Sequence, residues 1–582
     1  MSSDPQNEPL DHPTGPGQPH RPISRLDFLN GLLITGASAS LALAAGCMPP
    51  ASAPETPLPA ATLPPSPAPT RPLTPVPAAA LAKGDRTHEF ARCHQIWSGS
   101  LKGRAEPDGR LHDCLVIGGG MSGLVAAWQL GRLGVKDALV IEKDATLGGL
   151  CCADTIGGIV AAKASAYPSF PFNDDMVALY QDLGFVTVAG AKVTANPQHI
   201  LKPPYDQVFS AGQWVSDTFD DVGSAKLGIS QGAQDDLAAL TETLAELWEW
   251  EDADGRPAFD CPPDAASRDR KLRGLDAMTL GEYAQAQGWS LEMARLLDPL
   301  LRSAYGVGHD RISAWAALDI LTDELLPPDE GEDALGFPGG NGFFAEALAA
   351  RLPAGQAFTG AIVTRVQQNG SEVQATLVRQ GETQTVRGRT AIFAAPQFMA
   401  PYLLPDLPTD RQGAAKSFEY TPYVVANVAV TQTPPGLAYS NQLLGDFVMS
   451  DFIVADWTKH ADPLKAPAGR PNVLTAYCPL TAAERVGLLA SPLDEWQGKI
   501  LAEFDRVLPG LSQTVTGFYL YRWGHAFAAP TRGAVFAPAR QLVKRPLGRI
   551  CFAHADVEGI PTIDHAMSSG FRAARAAAAL LA

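Results

Sequence analysis

Hydrophobic and polar positions divide this chain into a leader without structural period and a body whose apolar residues recur at strand and helix spacings. Residues 31–46 form a moderately apolar run of about 16 positions, short for a bilayer span and typical of a signal-peptide core. Across residues 48–77, Pro, Ala, Thr and Ser alternate with almost no charge. Such a stretch has no apolar face to bury and favours extended polyproline II, so it reads as a semi-rigid spacer. The patterned body opens with Cys114-Leu115-Val116-Ile117, a short apolar run of the kind that forms a buried parallel strand. Residues 124–133 then carry apolar positions at helical spacing, and Ala138-Leu139-Val140-Ile141 is a second apolar run. Residues 359–366, 391–396 and 422–430 read as further strands, with helical runs ending near Leu352 and across 564–581. Strand, helix and strand in alternation predict an α/β fold.

Composition narrows this picture. A length of 582 residues implies two to four domains, and 46% hydrophobic residues suffice for a large core. The net charge of -17 argues against nucleic-acid binding, which needs basic surface, and is compatible with a cationic substrate. Eight cysteines in so long a chain are no disulfide framework, and no CxxC or Cys/His ligand spacing points to a metal. His88 and His94 lie in an aromatic-rich lead-in without a CxxCH, which leaves haem an open question.

The first strand runs into Gly118-Gly119-Gly120-Met121-Ser122-Gly123, which fits G-x-G-x-x-G between strand and helix. Gly118 permits the tight turn, Gly120 admits a pyrophosphate to the backbone, and Gly123 lets helix and strand approach. The helix N-terminus, with Ser122 in its first turn, offers amide donors to phosphate. The second strand ends in Glu142-Lys143, and a carboxylate there accepts hydrogen bonds from ribose hydroxyls. This is a dinucleotide site in its expected context.

Two further signatures decide which dinucleotide. Gly148-Gly149 follows Glu142, and Gly548-Arg549-Ile550-Cys551-Phe552-Ala553-His554-Ala555-Asp556 forms a strand and turn near the C-terminus, with His554 where a glycine is usual. Together they resemble the flavin-containing amine oxidoreductase superfamily across residues 112–582. The resemblance implies FAD, held non-covalently because no cysteine stands near His525 where some members attach the flavin. It implies that Asp556 reaches the ribityl–phosphate part, that Val363 lies beside the adenine, and that the last helix aims its positive end at the flavin N1–C2=O edge. It also implies a Rossmann-like, two-dinucleotide-binding-type FAD domain built from 112–167, 336–405 and 545–582. A discontinuous α+β substrate domain would then come from 168–335 and 406–544. No second G-x-G-x-x-G occurs, which argues against a reductase that also binds NAD(P)H.

This fold hosts amine oxidases, carotene desaturases and protoporphyrinogen oxidases, so function rests on what faces the flavin. Tyr521-Arg522-Trp523-Gly524-His525-Ala526-Phe527-Ala528 resembles a stretch of bacterial spermidine dehydrogenases. Ser165-Ala166-Tyr167-Pro168 falls where the family brings the chain near the isoalloxazine ring. These segments nominate His525 as proton acceptor and Tyr167, Trp523 and Phe527 as water-excluding walls of a substrate pocket. Core packing is the competing reading for the aromatics, and a structural role for the histidine. Many amine oxidases hold a water over flavin N5 with a lysine; by register that place is Ala426 or Asn427, and Asn427 can orient a water but cannot act as a base. One of the paired tyrosines that cage the amine in some members falls near Thr562. The expected reaction is hydride transfer from the carbon beside an amine nitrogen to flavin N5, with the electron acceptor unassigned. The alternatives are a desaturase or protoporphyrinogen-oxidase-like enzyme on a large hydrophobic molecule, or a flavin module passing electrons to a membrane partner.

The leader supplies an address. Leu43-Ala44-Ala45-Gly46-Cys47 resembles a bacterial lipobox, which implies cleavage before Cys47, its acylation, and attachment to a lipid membrane in the periplasm or cell envelope. Ser24-Arg25-Leu26-Asp27-Phe28-Leu29 resembles a twin-arginine export signal except at Leu26, where the second arginine belongs, so the export route stays open. Residues 1–47 are thus expected to be a signal peptide and 48–85 a linker.

Overall fold

The computed structural model describes residues 82–86, 92–97, 101, 105–216, 221–263, 269–326, 334–459 and 470–582. The expected signal peptide, Cys47 and most of the expected linker lie outside them. Apolar strands with no polar alternation must be covered on both faces, and the first sheet is built so. Its parallel core runs Ala357–Phe358, Ala138–Ile141, Pro107–Ile117 and the end of Glu382–Phe393, with Ile550–Phe552 on the far side. An antiparallel meander of Ala361–Asn369, Glu372–Arg379 and the start of Glu382–Phe393 returns the chain into it.

Helix Met121–Arg132 is buried at every position from Met121 to Leu130, including the polar Ser122 and Gln129. Helix Ile563–Ala579 crosses it so closely that a Cβ on Gly570 would lie 2.6 Å from the Ser122 carbonyl oxygen. That contact is why the alanine-rich C-terminal helix carries a glycine there.

The second sheet has eight strands in the order Ala82–Asp85, Val515–Ala528, Tyr420–Val430, Asn472–Pro479, Asp451–Val454, Ser440–Leu443, Asp206–Ser210 and Gln213–Val215. Helices between 231 and 326 form their own apolar cluster, which joins this sheet through Val208 and Val215. One boundary differs from expectation. The linker assigned to 48–85 ends in a strand, since Ala82–Asp85 pairs in parallel with Gly517–Leu520. Ion pairs of Asp85 with Arg522 and of Arg86 with Asp154 fasten it. An edge strand is held by backbone pairing, so Ala-Lys-Gly-Asp shows no apolar period that could have announced it. Among the described residues, no helix is long and apolar enough to cross a membrane.

Candidate active site

The glycine turn after Pro107–Ile117 has the shape its sequence requires. Gly118 sits at φ +108°, which L side chains rarely adopt, and a Cβ on Gly123 would lie 2.0 Å from the Gly118 carbonyl oxygen. Gly120 differs: a Cβ there would meet nothing nearer than the Gly149 Cα at 3.9 Å. The protein does not fill this space, and Gly120 caps the helix without a side chain. The first amides of Met121–Arg132 are thereby left for an anion. Gly148 bridges to Gly120 and closes the cradle.

Glu142 is buried and accepts from the amides of Gly119 (2.8 Å) and Asp144 (2.9 Å). Burial raises its carboxyl above the usual range, while these amides oppose that. The Lys143 ammonium pairs with the neighbouring Asp144. Val363 is buried in the strand Ala361–Asn369. Asp556 is likewise buried, and both its oxygens are used by protein. Oδ2 accepts from the Tyr420 hydroxyl (2.5 Å) and the Gln397 amide (2.9 Å), and Oδ1 lies 2.9 Å from His554 Nδ1. Burial would raise this carboxyl, but His554 and these donors hold it below the usual range. These residues fit FAD: a pyrophosphate cradle at Gly120, and a buried acid ending the second strand for the ribose.

Beside this cradle lies a cavity of about 250 Å³, bordered by Thr562 to His565 at the start of the C-terminal helix. Tyr167, Trp523 and Phe527 all line it, as do Tyr423 and Tyr477, which the sequence reading passed over. Tyr423 stands edge-on to Phe527 (5.6 Å between centroids, 87°) and to Tyr477 (6.2 Å, 73°), with Tyr167 6.5 Å from Tyr477. The rings are fixed by polar anchors. The Tyr167 hydroxyl donates to Asp451 (3.2 Å), and the Trp523 indole donates to the Lys163 carbonyl (2.9 Å). Asn341, wholly buried, donates to Ser165 Oγ (2.7 Å) and the Tyr167 carbonyl (2.8 Å), holding the segment 165–167 in place. The signal for Asn341 was its place in the Phe337–Gly342 turn; Tyr477 lies in a wholly buried strand and gave none.

Two nominated residues face elsewhere. His525 does not line the cavity; Ala526 does. Its ring stacks on Phe398 (4.3 Å, 24°) and stands edge-on to Tyr420 (5.8 Å). Burial, with Arg485 and His94 nearby, pushes its pKa down to about 4, with Asp556 opposing. The cause is in the ladder. Tyr423 pairs with Trp523, yet Thr421 pairs with Phe527, so two extra residues bulge opposite Pro422. Proline has no N–H to continue the ladder, and the bulge turns His525 away. Asn427 is also withdrawn. It donates to the Ala162 carbonyl (3.0 Å) and accepts from Thr475 Oγ1 (2.7 Å), which leaves the side chain, wholly buried, committed to neighbouring strands.

A glycine cradle on a parallel sheet, opening beside an aromatic cavity walled by a second sheet, defines a flavin-dependent oxidoreductase fold. The chain matches the flavin containing amine oxidoreductase model over residues 121–578 and belongs to that family. It is accordingly an FAD-dependent oxidoreductase. A variant of putrescine oxidase redesigned in cofactor binding is similar at TM-score 0.61 and 19% identity, covering 81% of this chain and 99% of that one. Cyclohexylamine oxidase from Brevibacterium oxydans is similar at TM-score 0.56 and 17% identity, covering 81% and 99%. A putative protoporphyrinogen oxidase from Exiguobacterium gives 0.55 and 15%, covering 82% and 100%. At these identities the likenesses speak for the fold alone.

Proposed function

We propose that this protein oxidises an amine in the aromatic cavity. The observation that carries the reading is the make-up of that cavity: the rings of Tyr167, Tyr423, Tyr477, Trp523 and Phe527 line it together with the acidic side chains of Asp260, Asp319, Asp323, Glu324 and Asp564. Aromatic faces and carboxylates both attract an alkylammonium and leave its hydrocarbon part in apolar contact. Bound FAD supplies the acceptor for the hydride leaving the carbon beside the nitrogen. The chain's own residues position that carbon and keep water out; the polar anchors on Tyr167 and Trp523 make the walls rigid. The base role assigned to His525 and the water-holding role of Asn427 have no support in their positions. The carboxylates also weigh against a large hydrophobic substrate, whose burial would strand them.

The test is anaerobic titration of the purified holoenzyme with a panel of amines, followed by flavin absorbance. Bleaching by an amine at stoichiometric turnover supports the reading, and a flavin that stays oxidised with every amine removes it. We further propose export with lipid attachment at Cys47, on the strength of the Leu43–Cys47 pattern.

A further inference from the structure

The described chain ahead of the family-matched residues is built into both sheets. Strand Ala82–Asp85 lies on the edge of the eight-stranded sheet, and the Arg86 amide extends its pairing to the Leu520 carbonyl (2.9 Å). The Arg86 guanidinium pairs with Asp154 and lies over the Tyr519 ring, 4.7 Å from its centroid. Asp154 also accepts from the Tyr521 hydroxyl (2.6 Å), and it belongs to strand Ala153–Ile156, which follows Gly148 and Gly149 of the cradle. Further along, Ile96 packs against the apolar cluster of the other sheet, and its helix, Arg92–Trp97, lies on strand Ala361–Asn369. The chain is thus fixed to one sheet at Arg86 and to the other at Ile96.

The place where Ile96 meets its sheet matters. A dinucleotide enters such a sheet at the carboxyl ends of its strands. The cluster under Ile96 holds Ile117 and Ile141, the last residues of the strands that run into the glycine turn and into Glu142. Phe358, Ala395 and Phe398 are partly buried on the same cluster. Two of them border the cradle. The Phe358 carbonyl accepts from the Glu142 amide (2.8 Å), and a Cβ on Gly118 would lie 2.7 Å from the carbonyl oxygen of Ala394, the neighbour of Ala395. On the helix itself, His94 lies close enough to His525 to act on its charge, and the His525 ring stacks on Phe398 (4.3 Å).

We infer that helix Arg92–Trp97, secured upstream by Arg86 and strand Ala82–Asp85, is a clasp over the FAD crevice, and that the cofactor leaves only when this clasp lifts. Both pieces precede residue 121, where the match to the family begins, so the clasp belongs to this chain's own N-terminal part. It does not depend on which substrate is oxidised. A helix of six residues does not hold itself in water and stays in place through its packing. Here that packing is Ile96 on the cluster, while His94 and Gln95 are exposed, so the helix can open locally at far smaller cost than unfolding. A mere brace between the two sheets would make the same contacts, but its loss would weaken the empty and the FAD-loaded protein alike. Loss of a clasp speeds cofactor release.

The test follows FAD release from the purified holoprotein after dilution, by the flavin that passes an ultrafiltration membrane with time. Melting temperatures of the FAD-loaded and FAD-stripped protein are taken alongside. Ile96→Ser removes the apolar contact and should speed release roughly tenfold, the scale of one partly buried aliphatic side chain. Ile96→Val keeps the contact and should release FAD at close to the wild-type rate. Arg86→Gln removes the ion pair with Asp154 and should speed release severalfold, as suits a half-exposed pair. In each faster variant the stripped protein should melt as the wild type does, while the rise in melting temperature on adding FAD shrinks. Release at the wild-type rate from both Ile96→Ser and Arg86→Gln overturns the clasp. So does an equal fall in melting temperature of the loaded and stripped forms with release unchanged, which is the mark of a brace. If Ile96→Ser fails to accumulate, Arg86→Gln decides alone.

Discussion

His525 provides the sharpest test of the geometry, because its position predicts an acid-sensitive stability and no role in the chemistry. Its pKa falls from the ordinary 6.5 to about 4 on folding, chiefly through burial, with Arg485 and His94 adding to the effect. The sign follows from which state binds the proton. As pH drops below 6.5 the unfolded chain protonates this imidazole while the folded protein does not, so stability is lost progressively down to about pH 4. At about 1.4 kcal/mol per pH unit the gap corresponds to about 3 kcal/mol, and solvent screening at a half-buried ring reduces it to about 1–2 kcal/mol. His525→Phe keeps a flat ring against Phe398 and removes the titration. At pH 7 its melting temperature should match the wild type, and at pH 4 it should exceed it by a few degrees. The other acid-labile groups cancel in the comparison of variant with wild type. A difference that stays constant between pH 7 and pH 4 refutes the reasoning. So does an amine-driven bleaching rate cut a hundredfold or more by the substitution, the scale of a lost general base.

Three further outcomes are expected. Gly120→Val should fold and purify without colour, since its side chain enters space the protein leaves open, whereas Gly123→Val should fail to accumulate because its Cβ meets the Gly118 carbonyl at 2.0 Å; spectra and yields separate the two. Acid precipitation should release the flavin into the supernatant, and yellow colour retained in the pellet would show a covalent link. Cys47→Ser should abolish labelled-palmitate incorporation and shift the protein from the membrane to the soluble fraction while flavin content per protein stays the same.

How much of this was legible beforehand follows the range of the interactions. The glycine turn, Glu142 and the strand at 114–117 are set by local chemistry: a positive φ, a close helix approach and an unbroken apolar run each demand particular residues at particular spacings. The family match over residues 121–578 bears out the α/β flavin fold and FAD. The aromatic nominations at Tyr167, Trp523 and Phe527 were equally local, and all three line the cavity.

What the sequence left undecided was which way a side chain points once strands pair. His525 lies two residues from Trp523 and two from Phe527, so strict alternation places all three on one face. A bulge opposite Pro422, a residue from another strand about a hundred positions earlier, rotates His525 out. Asn427 shows the same limit: its register over the flavin was read along one strand, while its hydrogen bonds come from Ala162 and Thr475 on two others. The cavity's acidic lining needed still more of the fold. Asp260 lies in a loop, Asp319 and Asp323 on one helix, and Asp564 on another some 240 positions later, and no window of sequence sets them side by side. Local composition determined the cofactor and the frame that holds it; the cavity's charge, and which histidine is kept from it, were decided only when distant segments packed against one another.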